Sequence, residues 1–289
     1  INLLTWIKRI KIFILKRSGN HSRSRLMISL LGIPLDENSS FQRGAAKAPQ
    51  KIIEAFYSES TNDHSENGIN SRSSAKVKVI DPLVLPSGKS AIEKIYNVVY
   101  NELEKGNNII SIGGDHSITF PIIQAYAKKY DSLNILHFDA HPDLYDNFEN
   151  NPFSHASPFA RIMENNLAKR LVQVGIRTLN DHQRDQVKKF NVEVIEMKDY
   201  NSNLSFQFDG PVYISLDIDG LDPAYAPGVS HPEPGGLTTR EIINILHSLQ
   251  ADVIGGDIVE YNPINDVNNI TAITAAKLLK EMIGKLIIH

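Results

Sequence analysis

The chain has 289 residues, 42% of them hydrophobic and 22% charged, with a formal net charge of −3. That balance fits a globular protein with a core of normal size and gives no reason to expect nucleic acid or an acidic membrane as partner. No apolar run reaches the length of a bilayer span, and the absence of cysteine excludes disulfides and thiolate metal sites, so any metal must be held by nitrogen and oxygen.

Residues 1–25 differ from the rest. They carry Lys8, Arg9, Lys11, Lys16, Arg17, Arg23 and Arg25, no acidic residue, and apolar side chains crowded into the first half. Two readings stay open: a mitochondrial targeting segment, or a non-native leader before a cytoplasmic protein. Either way, residues 26–289 form one expected catalytic domain.

From Met27 onward, short apolar runs alternate with helical patterns. Strands are predicted over 27–33, 76–80, 108–112, 134–139, 170–176, 212–217 and 253–258. Helices are predicted over 49–57, 91–105, 120–130, 158–165, 181–190, 239–249 and 272–286. The polar segment 58–75 reads as a surface loop, because the alternation resumes after it. Strand–helix alternation with near-continuous apolar strands predicts one three-layer α/β domain: a mostly parallel central sheet flanked by helices.

Polar residues gather at the carboxyl ends of three predicted strands, where open parallel sheets place their ligand sites. The first group is Gly113-Gly114-Asp115-His116-Ser117. The second is Phe138-Asp139-Ala140-His141-Pro142-Asp143. The third runs from Ser215 through Asp217, Asp219 and Asp222 to Pro223. Strand alternation brings Asp139, His141 and Asp143 to one side if extended geometry continues to the end, and does the same for Asp217 and Asp219. With His116 this makes four carboxylates and two imidazoles. Four carboxylates together are unfavourable without compensating cations. Two divalent ions would supply that compensation and would acidify a water held between them. An oxygen-rich set with a minority of imidazole suits Mn²⁺. Taken singly, each Asp could be a cap, the glycines a tight turn and His116 an interior histidine; jointly, on three strand ends, they point to a binuclear centre.

These motifs carry a resemblance. The chain resembles the ureohydrolase family of arginases and agmatinases, through GGDHS (113–117), FDAHPD (138–143), SHASPF (154–159), SLDIDGLDPAYAPGVSHPEPGGLT (215–238) and DIVEYNP (257–263). It is most similar to the plant-type arginases. The resemblance implies two Mn²⁺ per subunit: His116, Asp139, Asp143 and Asp217 around one, Asp139, His141, Asp217 and Asp219 around the other. It implies His155 as a proton shuttle, Glu260 as partner of the substrate guanidinium, and Asp143 as a proton relay. Asp115 and Asp222 would hold ligand histidines from behind. It also implies homo-trimers or homo-hexamers acting on a small guanidino substrate, with arginine cleaved to ornithine and urea as the first reading. Agmatine, or another guanidino acid, is the second.

The substrate's far end is expected to meet Tyr145, Asn151, Ser154 and Asn180. Here the sequence departs from animal arginases. Asn151-Pro152-Phe153 stands where they carry Ser-Gly-Asn, and Thr178 and Asn180 stand where they carry acids. Two other classes compete: a metal-binding relative without catalysis, which would have lost ligands or Glu260, and a zinc deacetylase, which would need a tandem His-His pair that this chain lacks.

Overall fold

The computed structural model describes residues 27–73 and 75–288; the basic segment 1–25 lies outside them. Among the described residues, eight strands form one sheet: β1 (Ile28–Ile33), β2 (Val77–Ile80), β3 (Asn108–Gly113), β4 (Asn134–Phe138), β5 (Arg170–Ile176), β6 (Glu193–Glu196), β7 (Gln207–Asp217) and β8 (Gln250–Val259). Their order is β2-β1-β3-β8-β7-β4-β5-β6, and every pairing is parallel. Seven helices flank it among the described residues: α1 (Ala48–Phe56), α2 (Lys89–Glu104), α3 (Thr119–Lys129), α4 (Pro158–Glu164), α5 (Asp181–Phe190), α6 (Thr239–Ser248) and α7 (Ile270–Ile288).

Alternation along the strands divides the core in two. Ile110 and Ile112 of β3, and Leu136 and Phe138 of β4, pack with Ile52 and Phe56 of α1, Leu246 of α6 and Leu279 of α7. Ile109 and Ile135, one residue out of phase, pack on the other face with Ile95 of α2, Ile122 of α3 and Ile162 of α4. Because both faces are covered, the central strands bury side chains on both sides, and truncating a fully buried Ile or Leu to Ala would cost about 2–5 kcal/mol. The helix ends are set locally: Thr238 and Glu241 close a capping box at α6, and Asn180 accepts the Gln183 N–H at the start of α5.

All seven predicted strands are present, and β6 is the addition. It is a four-residue edge strand with two glutamates and no fully buried residue, so it shows no apolar run. The chain order reverses around β3, β8, β7 and β4. These four neighbours open a crevice at their carboxyl ends, the place where such sheets bind ligands.

Candidate metal centre and substrate cavity

Each of the four central strands delivers part of one cluster. His116 follows β3, Asp139, His141 and Asp143 follow β4, Asp217 ends β7 with Asp219 beyond it, and Glu260 follows β8. The convergence does not come from continued strand geometry, as the spacing alone suggested. β4 stops at Phe138, and Asp143 takes a left-handed backbone at φ 50°; Asp219 lies in a 3-10 turn and donates its N–H to the Asp217 carboxylate. Glu260 is also left-handed, at φ 63°. Non-glycine residues rarely hold that conformation without surrounding support, and here two site carboxylates do.

Gly114 joins the pieces. Its N–H bonds the carbonyl of Ile33 and its carbonyl accepts the N–H of Glu260. A Cβ at this position would sit 1.8 Å from the carbonyl oxygen of Leu35, which is backbone and cannot rotate away.

Around His116 the geometry is specific. Its Nδ1 lies 3.2, 3.0 and 3.1 Å from carboxylate oxygens of Asp139, Asp143 and Asp217. Nδ1 is nonetheless buried without a hydrogen-bond partner. One N–H cannot aim at three acceptors, whereas a lone pair and three carboxylate oxygens facing one point could hold a cation. The opposite ring nitrogen fixes that tautomer: Nε2–H donates to Ser215 Oγ at 3.0 Å, and Ser215 in turn donates to Asp257 at 2.8 Å. Asp257 also accepts from Thr119 and Tyr213.

A second group adjoins the first. His141 Nδ1 lies 3.4 Å from Asp139 Oδ1 and 3.1 Å from Asp219 Oδ2. Asp139 therefore turns one oxygen to each group, and the donor chemistry fits two cations sharing it. Electrostatics agree. Burial opposes charge on His116 and His141, yet their facing carboxylates hold both well above the usual imidazole range. Burial together with Asp219 and Asp139 pushes Asp217 well up, and burial, partly offset by His141, carries Asp219 to about 6. Protons occupy the places that cations would take.

His137 belongs to this assembly and was not among the residues picked from the sequence. It lies on β4, two residues before Asp139, which follows the strand. Its Nδ1 accepts from Gln173, so its Nε2–H donates to Asp139 Oδ2 at 2.8 Å. With both nitrogens engaged, it orients Asp139. The ring of Phe159 lies 4.0 Å from that of His137 and 5.3 Å from that of His116, centroid to centroid.

Beside the cluster lies a cavity of about 220 Å³ walled by Ser40, Asp143, Tyr145, His155, His231, Glu233 and Glu260, among others. His155 donates from Nδ1 to Glu260 Oε1 at 2.8 Å, and its Nε2 faces the N–H and hydroxyl of Ser40. Burial disfavours a charge on His155, but Glu260, Asp115 and Asp143 bring it up to about 9. Glu260 Oε1 also accepts the N–H of His116, while Oε2 has no partner among the described residues. Burial opposes the charge of Glu260, and His155 more than restores it.

Several expected contacts fall elsewhere. Asn151, Ser154 and Asn180 are not in the cavity wall. Asn151 bonds Asn38 and the N–H of Phe153, Ser154 accepts the N–H of Ala156, and Asn180 caps α5 and donates to Tyr145. Asp115 holds no histidine: it accepts from Ser117 and from the N–H of Asn38. Asp222 instead accepts the N–H groups of Ala224, Gly235 and Gly236, pinning the loop that carries His231 and Glu233. These side chains are short and polar at turns, where satisfying nearby backbone competes with reaching a ligand.

Comparison with known proteins follows the same lines. A family model described as the arginase family matches residues 26–284. A protein named "Arginase, mitochondrial" from Medicago truncatula is 47% identical over 284 residues, covering 89% of this chain and 81% of that one. "Arginase 1, mitochondrial" from Arabidopsis thaliana is 46% identical over 285 residues, with 89% and 80% covered. The solved structure of the Medicago truncatula arginase superposes with a TM-score of 0.86 at 44% identity, covering 96% of this chain and 92% of that one.

Proposed function

The chain belongs to the arginase family, and we propose that it hydrolyses arginine to ornithine and urea at a pair of Mn²⁺ ions. The observation that carries this reading is the convergence of His116 Nδ1 with the oxygens of Asp139, Asp143 and Asp217, next to a cavity that Glu260 also lines.

His116, Asp139, Asp143 and Asp217 would hold one ion, and Asp139, His141, Asp217 and Asp219 the other. When bound, the ions supply Lewis acidity and make water a nucleophile near neutral pH. Glu260 binds the guanidinium through Oε2, by charge-assisted hydrogen bonds stronger than neutral ones. Its Oε1 stays committed to His155 and the His116 N–H, so the carboxylate is aimed before substrate arrives. Asp143, in the cavity wall, accepts a proton released on attack. His155 delivers one to the leaving amine and recovers it on Nε2, the ring atom turned to Ser40.

Arginine is preferred over agmatine because the similar relatives are named arginases. The same names support a mitochondrial location over a cytoplasmic one. A homo-trimer or homo-hexamer is part of the same proposal. The test is urea release in Mn²⁺ from arginine, agmatine, 4-guanidinobutyrate and free guanidine. Arginine should give the highest kcat/KM. Urea from agmatine with none from arginine would remove the arginase reading and leave the hydrolytic chemistry.

A further inference from the structure

We propose that Glu233 is the counter-ion for an ammonium group at the far end of the substrate, so that the cavity favours guanidino compounds with a cationic tail over those with a bare carboxylate. This deepens the reading above and rests on it.

Five acids line the cavity: Asp143, Asp217, Asp219, Glu233 and Glu260. The first three converge on the histidines of the metal cluster, and Glu260 is tied to His155. Glu233 alone is uncommitted: among the described residues its half-buried carboxylate has no hydrogen bond or ion pair, and no Lys or Arg lines the cavity. Thr178 and Asn180, which stand where animal arginases carry acids, are spent on the Ala140 carbonyl and on Tyr145 and the α5 cap.

The backbone beneath Glu233 is built to hold it still. Arg177 does not pair with its carboxylate. The guanidinium is consumed by carbonyls, those of Gly175, Asp219, Gly220, Leu221 and Glu233 itself. One nitrogen, Nη2, bonds the carbonyls of Asp219 and Glu233 at 2.7 and 2.6 Å, which fixes Glu233 relative to a residue of the metal cluster. Pro232 and Pro234 restrict the backbone on either side. Asp222 accepts the next two N–H groups, and a Cβ on Gly236 would strike the N of Asp222 and the guanidinium of Arg177. A charged group on so fixed a rim loses little entropy on meeting its partner.

Arginine and agmatine both place an ammonium on the fourth carbon from the guanidino nitrogen; 4-guanidinobutyrate places a carboxylate there. Of the other lining side chains, Ser40, Tyr145, Thr178 and Gln183 are neutral and the His155 ring is tied to Glu260, so an anionic tail meets Glu233 with no Lys or Arg to offset it.

The test compares agmatine with pentylguanidine, which replaces the ammonium by a methyl group, in the Mn²⁺-loaded protein. In Glu233→Gln the ratio of kcat/KM for agmatine to that for pentylguanidine should fall about tenfold, mainly through KM. Ornithine binding, followed by calorimetry, should weaken by a similar factor, with metal content per subunit retained. Glu233→Lys should raise 4-guanidinobutyrate relative to arginine. An unchanged agmatine-to-pentylguanidine ratio with an active parent would overturn the assignment of Glu233 alone. Loss of metal in Glu233→Gln, with both substrates failing together, would also overturn it. No urea from any of these compounds with the parent protein would remove the ureohydrolase reading itself.

Discussion

The imidazole Nδ1 of His155 lies 2.8 Å from Oε1 of Glu260, and that one oxygen also accepts the backbone N–H of His116. The carboxylate is thus held from two sides, one a titratable ring in the cavity wall, the other the turn that bears a metal-facing histidine. Removing its charge while keeping its shape isolates what the charge does. Glu260→Gln is expected to lower kcat/KM by at least about 30-fold, since losing one partner of a buried charged pair costs about 2–5 kcal/mol. Metal content should be retained, because Glu260 bonds His155 and the His116 N–H and is not among the carboxylates that face His116 Nδ1. Wild-type kcat/KM in this variant would show that the guanidinium is held elsewhere.

His155 bonds Glu260 and Ser40 and, among the described residues, makes no hydrogen bond or ion pair with the six residues proposed to hold the cations. His155→Ala should therefore cut turnover while two Mn²⁺ remain per subunit, and added imidazole should restore part of the rate. Metal analysis decides the point: parallel loss of Mn²⁺ and activity would make His155 a ligand and not a proton carrier.

The convergence of the His and Asp side chains was legible in the sequence because they sit at strand ends, where residue type and position in the sheet carry the same message. His116, Asp139, His141, Asp143, Asp217 and Asp219 could be picked out before their contacts were known. The supporting layer could not. Ser215 and Asp257 meet because β7 and β8 are neighbours with those two residues in register, and pairing between distant strands is not written in local pattern. His137 is a buried polar residue on an otherwise apolar stretch of β4, two residues before Asp139, and that is the local signal it carries. Asn151, Ser154 and Asn180 lie outside the cavity wall, because loop side chains follow the path of the loop and no periodicity describes that path.

Asp139 turns one oxygen toward His116 and the other toward His141, whereas Asp222 touches only backbone N–H groups of its loop. Asp139→Asn should lose both ions, giving well under one Mn²⁺ per subunit after dialysis. Asp222→Asn should keep them and instead raise KM, through the loosened loop that carries His231 and Glu233. Equal, mild effects of the two substitutions would contradict a shared carboxylate.

Ser215 stands between His116 Nε2 and Asp257. Without its hydroxyl, the ring can rotate and Nδ1 no longer presents a fixed lone pair. Changes at such a supporting position typically cost 10–100-fold in metal affinity. Ser215→Ala should weaken Mn²⁺ binding within that range, measured by competition with a chelating dye. Ser215→Thr, which keeps the hydroxyl, should recover most of it. Unaltered affinity in Ser215→Ala would leave the His116 ring oriented by Phe159 packing alone.

Far from the cavity, Glu102 of α2 gathers Ser29 of β1, Lys78 of β2, Lys105 and Asn107 around a nearly buried carboxylate. Burial works against its charge, but hydrogen bonds from Lys105, Asn107 and Lys78 prevail and depress it to about 2 from an ordinary 4.5. A carboxyl that binds its proton more weakly in the folded state than in the unfolded one stabilises the fold fully above the unfolded value. That contribution is lost as pH falls through the folded value. The stabilisation should therefore be intact above about pH 4.5 and disappear between there and about pH 2. Lys105 and Lys78 are substantially exposed, so solvent screening limits the effect at pH 7 to about 2 kcal/mol. Glu102→Gln should be less stable than the parent by that amount at pH 7, and the two denaturation curves should draw together as pH drops toward 2. Taking the difference between the two proteins at each pH removes the acid sensitivity of the metal cluster, which they share. A stability gap that stayed constant from pH 7 to pH 3 would mean that packing, and not the charge of Glu102, holds β1, β2 and α2 together at this point.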